Sequence, residues 1–429
     1  MSIQQNFPAI SPSLNLNFAR SKTLDPRITF SRTSTATRVN EQGLIEVVGA
    51  DTPRFDHSYD PVSGTVRSLG LLIEEQRENL LRYSEEADNP AWNILNSSII
   101  VDPNSTTSPD GNQTADKVQE AAIEGGHSIE FTGFAFQQDI TYTVSFFAKA
   151  AERTRFRIVW PTMFTNRIAF VDIDTSTYGV ISDGGTITNI YPFGNGWFRI
   201  VSTSTCTTTT TGSRVSITLV DTGTNINYTG DGTSGIYIWG AQLEIGAFPT
   251  SYIPTSGSTA TRTTDNVSMV GHNFSGWYNQ SEGTVYADTR MVGVQTGRYD
   301  RLWAITNSNL NFEGISLYVS GIIGSTYRSS ITITNSATEQ VGGALVETAL
   351  TTPQLKSAFA FKQNNCASSY NGQQRFVDNI VDLSTFTTPP DRLLIGQPQR
   401  FQGYSCMTVS QLTYYPRRLT NTQLQNLTK

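Results

Sequence analysis

The sequence predicts an all-β chain: two antiparallel β-sandwiches of the jelly-roll type in tandem, preceded by an extended N-terminal arm. Three observations carry this expectation. Apolar residues alternate with polar ones at period two, as in Thr141-Tyr142-Thr143-Val144-Ser145-Phe146-Phe147-Ala148. Turn signals such as Gly194-Asn195-Gly196 and Asp231-Gly232 fall between these runs. Charged residues make up only 15% of the 429, against about 25% in ordinary globular chains. Thr, Ser, Asn and Gly take their place.

Residues 1–33 hold two short alternating runs, Leu14–Phe18 and Arg27–Phe30, between polar turns. So little core in so many residues predicts an arm for attachment or oligomerisation. Residues 34–92 read as an irregular, β-poor connecting region. Asn40-Glu41-Gln42-Gly43 is a turn, and Asn79 with the Leu80-Leu81 pair argues against a helix over Glu74–Glu86. Residues 93–265 read as a jelly roll. Its Arg155–Trp160 run turns Phe156, Ile158 and Trp160 inward, and further strands fall at Ala169–Ile173, Trp197–Val201, Val215–Leu219 and Ile236–Trp239. Residues 266–429 read as a second sandwich, with strands at Gly283–Arg290, Arg301–Thr306, Ile315–Ile322, Ser329–Thr334, Ser357–Lys362, Gln373–Val377, Leu393–Gly396 and Met407–Tyr415. Thr420 and Gln423 then fit a capping box, with Leu424 and Leu427 on one face, which predicts a short closing helix. The pentapeptide Ser34-Thr35-Ala36-Thr37-Arg38 recurs as Ser258-Thr259-Ala260-Thr261-Arg262. The two copies are expected near one end of the middle module.

The net charge is −6 with no basic run, so neither nucleic acid nor an anionic membrane is an expected partner. No window approaches 18 uninterrupted apolar residues, so no membrane insertion is expected. The N-terminus has no basic region followed by an apolar run, which argues against a signal peptide and for synthesis in a cytoplasm. Cys206, Cys366 and Cys406 form no C-x-x-C pair and read as buried free thiols.

Signatures of catalysis are missing: no G-x-S-x-G, Walker loop or H-E-x-x-H occurs. His57, His127 and His272 lie far apart. Glu74-Glu75 and Glu85-Glu86 are adjacent pairs, and neighbours on an extended chain point apart. Asp172 and Asp174 share a strand face but flank a turn. The chain is therefore expected not to be an enzyme and to need no cofactor. Asp221-Thr222-Gly223-Thr224-Asn225 and Asp231-Gly232-Thr233 have the oxygens for Ca²⁺, and plain turn chemistry explains them equally well.

Aromatic residues carry a stronger hint. They are 10% of the chain, and sugar-binding sandwiches stack pyranose faces on exposed rings. Trp197 and Trp239 alternate opposite the inward Phe198/Ile200 and Ile236/Ile238 sets, Tyr178 and Tyr191 sit beside turns, and Trp303 and Tyr318 lie opposite Leu302 and Leu317. These six are the candidate carbohydrate-binding residues, and packing within the fold is the alternative reading of each.

The segment GLLIEEQRENLL, with Gly70, Leu72, Glu75, Arg77, Asn79 and Leu80, resembles a signature of tailed-phage fibre and head-spike (horn-like) structural proteins, as do the flanking stretches SRTSTATRVNEQGLIE and GAQLEIGAFPTSYIPTSGSTATRTTDNV. The middle module resembles carbohydrate-binding-module jelly rolls. The ending, Phe401–Tyr404 and Leu412–Leu424, is similar to concanavalin A/laminin-G sandwiches. The resemblance implies a virion structural protein on a tail or capsid, assembled in the host cytoplasm. It implies a homo-oligomer, a trimer if it forms a fibre, with other virion proteins and a host cell-surface glycan as partners. The alternatives are a polysaccharide depolymerase or esterase of a phage tail, and a purely architectural adaptor or decoration protein.

Overall fold

A computed structural model describes residues 7–184, 187–294, 298–308, 313–322, 326–335, 338–344, 354–383, 386, 388–397 and 403–429. Gly185 of the expected turn Asp183-Gly184-Gly185, and Phe401–Gln402 of the ending, lie outside them. The chain is all-β and forms two antiparallel sandwiches.

The sandwich built from residues 92–245 has two six-stranded sheets. One runs Ile187–Gly194, Trp197–Thr205, Thr141–Ala150, Gly235–Ile245, Ala115–Glu120, Ile99–Thr106. The other runs Gly179–Ser182, Ile168–Asp172, Arg155–Val159, Thr210–Leu219, Ser128–Phe136, Trp92–Ile94. Alternation sends Phe146, Phe156, Ile158, Trp160, Phe198 and Ile200 into one shared core, as the pattern of each run predicts.

The second sandwich is split in sequence, and this corrects the expected domain division. Leu14–Asn17 pairs with Cys406–Tyr415, and Thr29–Ser31 pairs with Asn266–Val270. Thr65–Ile73 pairs with Cys406–Tyr415 on one side and with Arg54–Asp60 on the other. Residues 14–31 therefore belong to this sandwich and not to an arm, and residues 34–92 are not β-poor. Phe18, Leu71 and Ile73 join Trp303, Phe359 and Tyr414 in a single core. The 92–245 sandwich is an insertion between the two halves of the other, not its predecessor. The strands expected between 283 and 415 all form, and the closing helix Asn421–Leu427 begins with the capping box of Thr420 and Gln423. All three cysteines are buried and free.

The GLLIEEQRENLL segment lies where the insertion leaves its host. Gly70 has φ +95°, and a side chain there would strike the Val409 carbonyl. Asn79 is fully buried with all four amide bonds made: its Nδ2 donates to the Ala241 and Ile253 carbonyls, and its Oδ1 accepts from the Leu81 and Leu243 amides. A substitution with the same shape but no amide would orphan these backbone groups.

Between them sits a buried ion network. Arg54 reaches Glu74 at 2.7 Å, the Ser251 hydroxyl at 2.7 Å and the carboxylate of Asp265. Arg32 bonds the other Asp265 oxygen at 3.0 Å, and Arg262 lies 3.5 Å from Glu74. Burial alone would raise the Glu74 carboxyl. Arg262, Arg54 and the two Ser251 hydrogen bonds outweigh it and hold Glu74 down to about 2. Asp56, beside the network, goes the other way: burial pushes it up to about 6 despite the Val39 amide at 2.7 Å. The first pentapeptide meets the residue that follows the second here. Ser34 and Thr263 exchange hydrogen bonds of 3.1 and 2.9 Å, and Ala260–Arg262 pairs with Arg77–Asn79.

Candidate functional site

The outer face of the first six-stranded sheet carries Phe147 and Lys149, Trp197 and Arg199, Tyr237 and Trp239, each set alternating with inward core residues. An apolar face of this kind must be covered. The covering comes from the chain itself. Tyr252, in the Pro-flanked strap after Ile245, places its ring 4.8 Å from that of Trp239 and 6.5 Å from that of Phe147. The hairpin of Ala36–Val39 and Ile45–Val48 adds Ile45 to the same cluster. Arg199 ties the sheet to the strap through the Thr250 carbonyl at 2.7 Å.

Trp197 and Trp239 are consequently 3% exposed each and are not open stacking platforms. Their indole N–H groups donate to the Thr107 carbonyl (3.1 Å) and the Thr114 hydroxyl (3.0 Å), holding the loops beside the sheet. Trp303 lies in the core of the split sandwich. Tyr178 packs on Phe198 at 4.8 Å. Tyr318 meets the half-exposed Tyr299 edge-on at 5.3 Å. Tyr191, on the edge strand Ile187–Gly194, is 51% exposed. The six do not converge. Alternation identifies which rings leave a core, but not what packs on them afterwards.

The covering is incomplete at one corner. The hairpin tip (Gly43, Leu44), the Thr107–Pro109 loop and the Phe193–Gly196 turn leave a pocket of ≈ 140 Å³ over Trp197. At about 30 Å³ per water of the liquid, that is room for roughly five waters, enough to seat part of one sugar ring. Phe193, half-buried and packed edge-on against Phe147 at 4.9 Å, forms an apolar wall. Gly194, Asn195 and Gly196 all have positive φ, a sequence of conformations that suits Gly and Asn and presents the Asn195 side chain to solvent. The stem of Lys149 lies against this turn, its Cε 3.4 Å from where a Gly196 side chain would begin. The pocket thus combines an aromatic wall, hydroxyl and amide groups, and one ammonium. Of the six expected residues only Trp197 contributes, as part of its lining. Lys149, Phe193 and Asn195 were not among them, although the Gly-Asn-Gly turn and the aromatic before it were readable signals.

Two further clefts lie near the insertion junction. One of ≈ 270 Å³ is lined by Arg82, Tyr83, Thr132 and Phe134. One of ≈ 340 Å³ is lined by Glu85, Glu86, Asn104 and Ser256. Burial raises the Glu85 carboxyl, against the pull of the Tyr252 hydroxyl at 2.7 Å. Asp172 pairs with Arg155 at 2.7 Å, and Asp174 accepts from the Ser176 amide, so both serve strand and turn. Asp231 accepts from the Thr233 and Ser234 amides, and Asp221 pairs with Arg153 at 3.1 Å. Among the described residues no three His, Cys, Asp or Glu side chains group as metal ligands. His127 sits between the Ser98 and Tyr228 carbonyls, and His57 faces that of Val39.

No family model matches the chain, and no curated protein matches it. Among solved structures it is similar to the Ruminococcus gnavus IT-sialidase CBM40 bound to α2,6-sialyllactose (14% identity, TM-score 0.29, 35% of this chain and 85% of that chain). It is also similar to domain 4 of a GH43 extracellular arabinanase from Geobacillus stearothermophilus in complex with arabinotriose (14%, 0.28, 42% and 82%). A Trypanosoma rangeli sialidase shares 12% identity at a TM-score of 0.28, over 73% of this chain and 60% of that chain. At scores this low the likeness assigns neither a family nor a ligand. The chain's own architecture defines an all-β protein whose inserted sandwich bears an aromatic-walled, polar-rimmed pocket.

Proposed function

We propose that the chain is a non-enzymatic adhesion protein that binds glycans through the pocket at Phe193, Asn195 and Lys149, and that it works as a tail or head fibre or spike component of a virus particle. The pocket is the observation that carries the binding role: one apolar ring wall beside hydroxyl, amide and ammonium groups is the chemistry a pyranose needs. The virion role rests on the GLLIEEQRENLL resemblance, whose residues build the junction that holds the pocket-bearing sandwich on its host. One shallow pocket binds weakly. Repetition in an oligomer, a trimer in the fibre case, raises avidity by ~10²–10⁴ without new contacts.

A glycan array probed with the full chain tests the binding role. Phe193→Ala is expected to lower affinity for any bound glycan at least about tenfold, a change of about 1.4 kcal/mol. The thermal midpoint should fall by a few degrees through the lost packing on Phe147, so affinities are compared well below both midpoints. Unchanged glycan binding by the variant would remove the pocket from the account.

A second reading, hydrolysis, is favoured by one observation: Glu85, its carboxyl raised by burial, lines a cleft with Glu86. Glycoside hydrolysis needs two carboxylates on opposite sides of the scissile bond, and Glu85 already accepts the Tyr252 hydroxyl as a strap anchor. Incubation with host polysaccharide should therefore release no new reducing ends. Release that Glu85→Gln abolishes would establish the hydrolytic reading instead.

A further inference from the structure

Lys149 lacks a counter-charge where one would be expected. Across the sheet its strand neighbours are Trp197 and Tyr237, neither of them a carboxylate. Glu152, three residues on, is committed to Lys117 at 2.8 Å and to the Gly235 amide. Asp110, at the end of the loop that lines the pocket, accepts from Ser108 and from both the backbone and side chain of Asn112. Among the described residues no carboxylate pairs with Lys149. Its stem lies against the Gly196 turn, and the residue lines the pocket. A half-buried, unpaired cation inside a concave site is worth more to an anion than one on an open surface, because water screens it less. The protein as a whole carries −6, so this local positive charge runs against the general field.

We infer that the pocket selects a saccharide unit bearing a carboxylate, with Lys149 as the specificity-determining cation and Phe193 as the wall for the sugar ring. The inference rests on the reading of this pocket as the glycan site. Lys149 forms a charge-assisted hydrogen bond to the acid group; Asn195 and Thr107, both exposed at the rim, supply the polar groups for the ring hydroxyls. A neutral sugar of the same shape keeps the wall and the hydroxyl contacts and loses only the charge.

The test is an array of neutral, uronate-containing and sialylated glycans probed with the full chain, followed by titration of the strongest binder and its neutral counterpart. The expected result is at least tenfold preference for the acid-bearing member at about 0.05 M salt, shrinking several-fold at about 1 M as the Debye length falls to about 3 Å. Lys149→Met should weaken the acid-bearing member at least tenfold and so bring the two members to similar affinity. Phe193→Ala should weaken both and keep their ratio. Equal affinity of the parent for acidic and neutral members, or a preference that survives Lys149→Met, overturns the inference while the glycan reading stands. Binding to no glycan at all, with the chain folded, overturns both.

Discussion

Replacing Arg54 with Met is expected to cost about 3–5 kcal/mol of stability, the largest effect of any single substitution proposed for this chain. Arg54 is fully buried and supplies the guanidinium between Glu74 and Asp265. Met fills much of the volume but leaves two carboxylates facing each other in a dry site, with only Arg32 and Arg262 to offset them. Removing one partner of such a network costs far more than the network contributes relative to an apolar core, because the remaining charges stay desolvated. The network joins residues from the N-terminal strands, from the point where the insertion leaves and from the point where it returns. The substitution should therefore weaken docking of the inserted sandwich as well as the host. Urea unfolding followed by tryptophan fluorescence and by far-ultraviolet circular dichroism measures it. A loss below about 1 kcal/mol, the scale of a surface pair, would mean that the junction is not held by these charges.

Glu74→Gln is expected to cost about 3 kcal/mol at pH 7, with a dependence on pH that identifies the cause. The folded protein holds the Glu74 carboxyl at about 2, below its ordinary 4.5, and a depression of that size is worth about 3 kcal/mol. A depressed carboxyl contributes stability that is present above its unfolded value and lost as pH falls through the folded one. The stability gap between the parent and the Glu74→Gln variant should therefore be full above about pH 5 and close between about 4.5 and 2. Asp56 has the opposite sign. Its carboxyl is raised from 3.8 to about 6, so its contribution is present below 3.8 and lost as pH rises through 6. Asp56→Asn keeps the acceptor for the Val39 amide and should stabilise the chain at pH 7 by about 2 kcal/mol, given the partial exposure of this residue. That advantage should vanish near pH 4. Parallel pH profiles for the parent and the Glu74→Gln variant would refute the assignment.

Much of the fold was legible in local patterns. The strands between 283 and 415, the inward set Phe156/Ile158/Trp160 and the Thr420–Gln423 cap follow from period-two alternation and capping chemistry, which are properties of neighbouring residues. The nesting of one sandwich inside the other was not legible. Leu14–Asn17 and Thr65–Ile73 find their partner in Cys406–Tyr415 at the far end of the chain, and alternation gives no address for a partner. The Leu71-Leu72-Ile73 run is buried on both faces, so it shows no alternation to mark it as a strand. The surroundings of the candidate rings were hidden for a related reason. Trp197 and Trp239 do leave the core face, as the pattern indicates, but the strap bearing Tyr252 and the hairpin bearing Ile45 then cover them. What remains open is set by where that cover stops, at Leu44, Pro109 and Asn195. These belong to three segments whose proximity only the folded chain creates. The GLLIEEQRENLL signature is explained by the junction: Gly70 for close approach, Glu75 and Arg77 for a buried pair at 2.6 Å, and Asn79 for four backbone bonds.

The proposed meeting point of protein and sugar is this one corner of the inserted sandwich. A crystal structure of the full chain with the strongest glycan from the array tests it most directly. The expected result is a sugar ring against Phe193, with its polar groups at Asn195 and Lys149. A sugar seated at Arg82 and Tyr83, or between Glu85 and Glu86, with the Phe193 pocket holding only water, would contradict it.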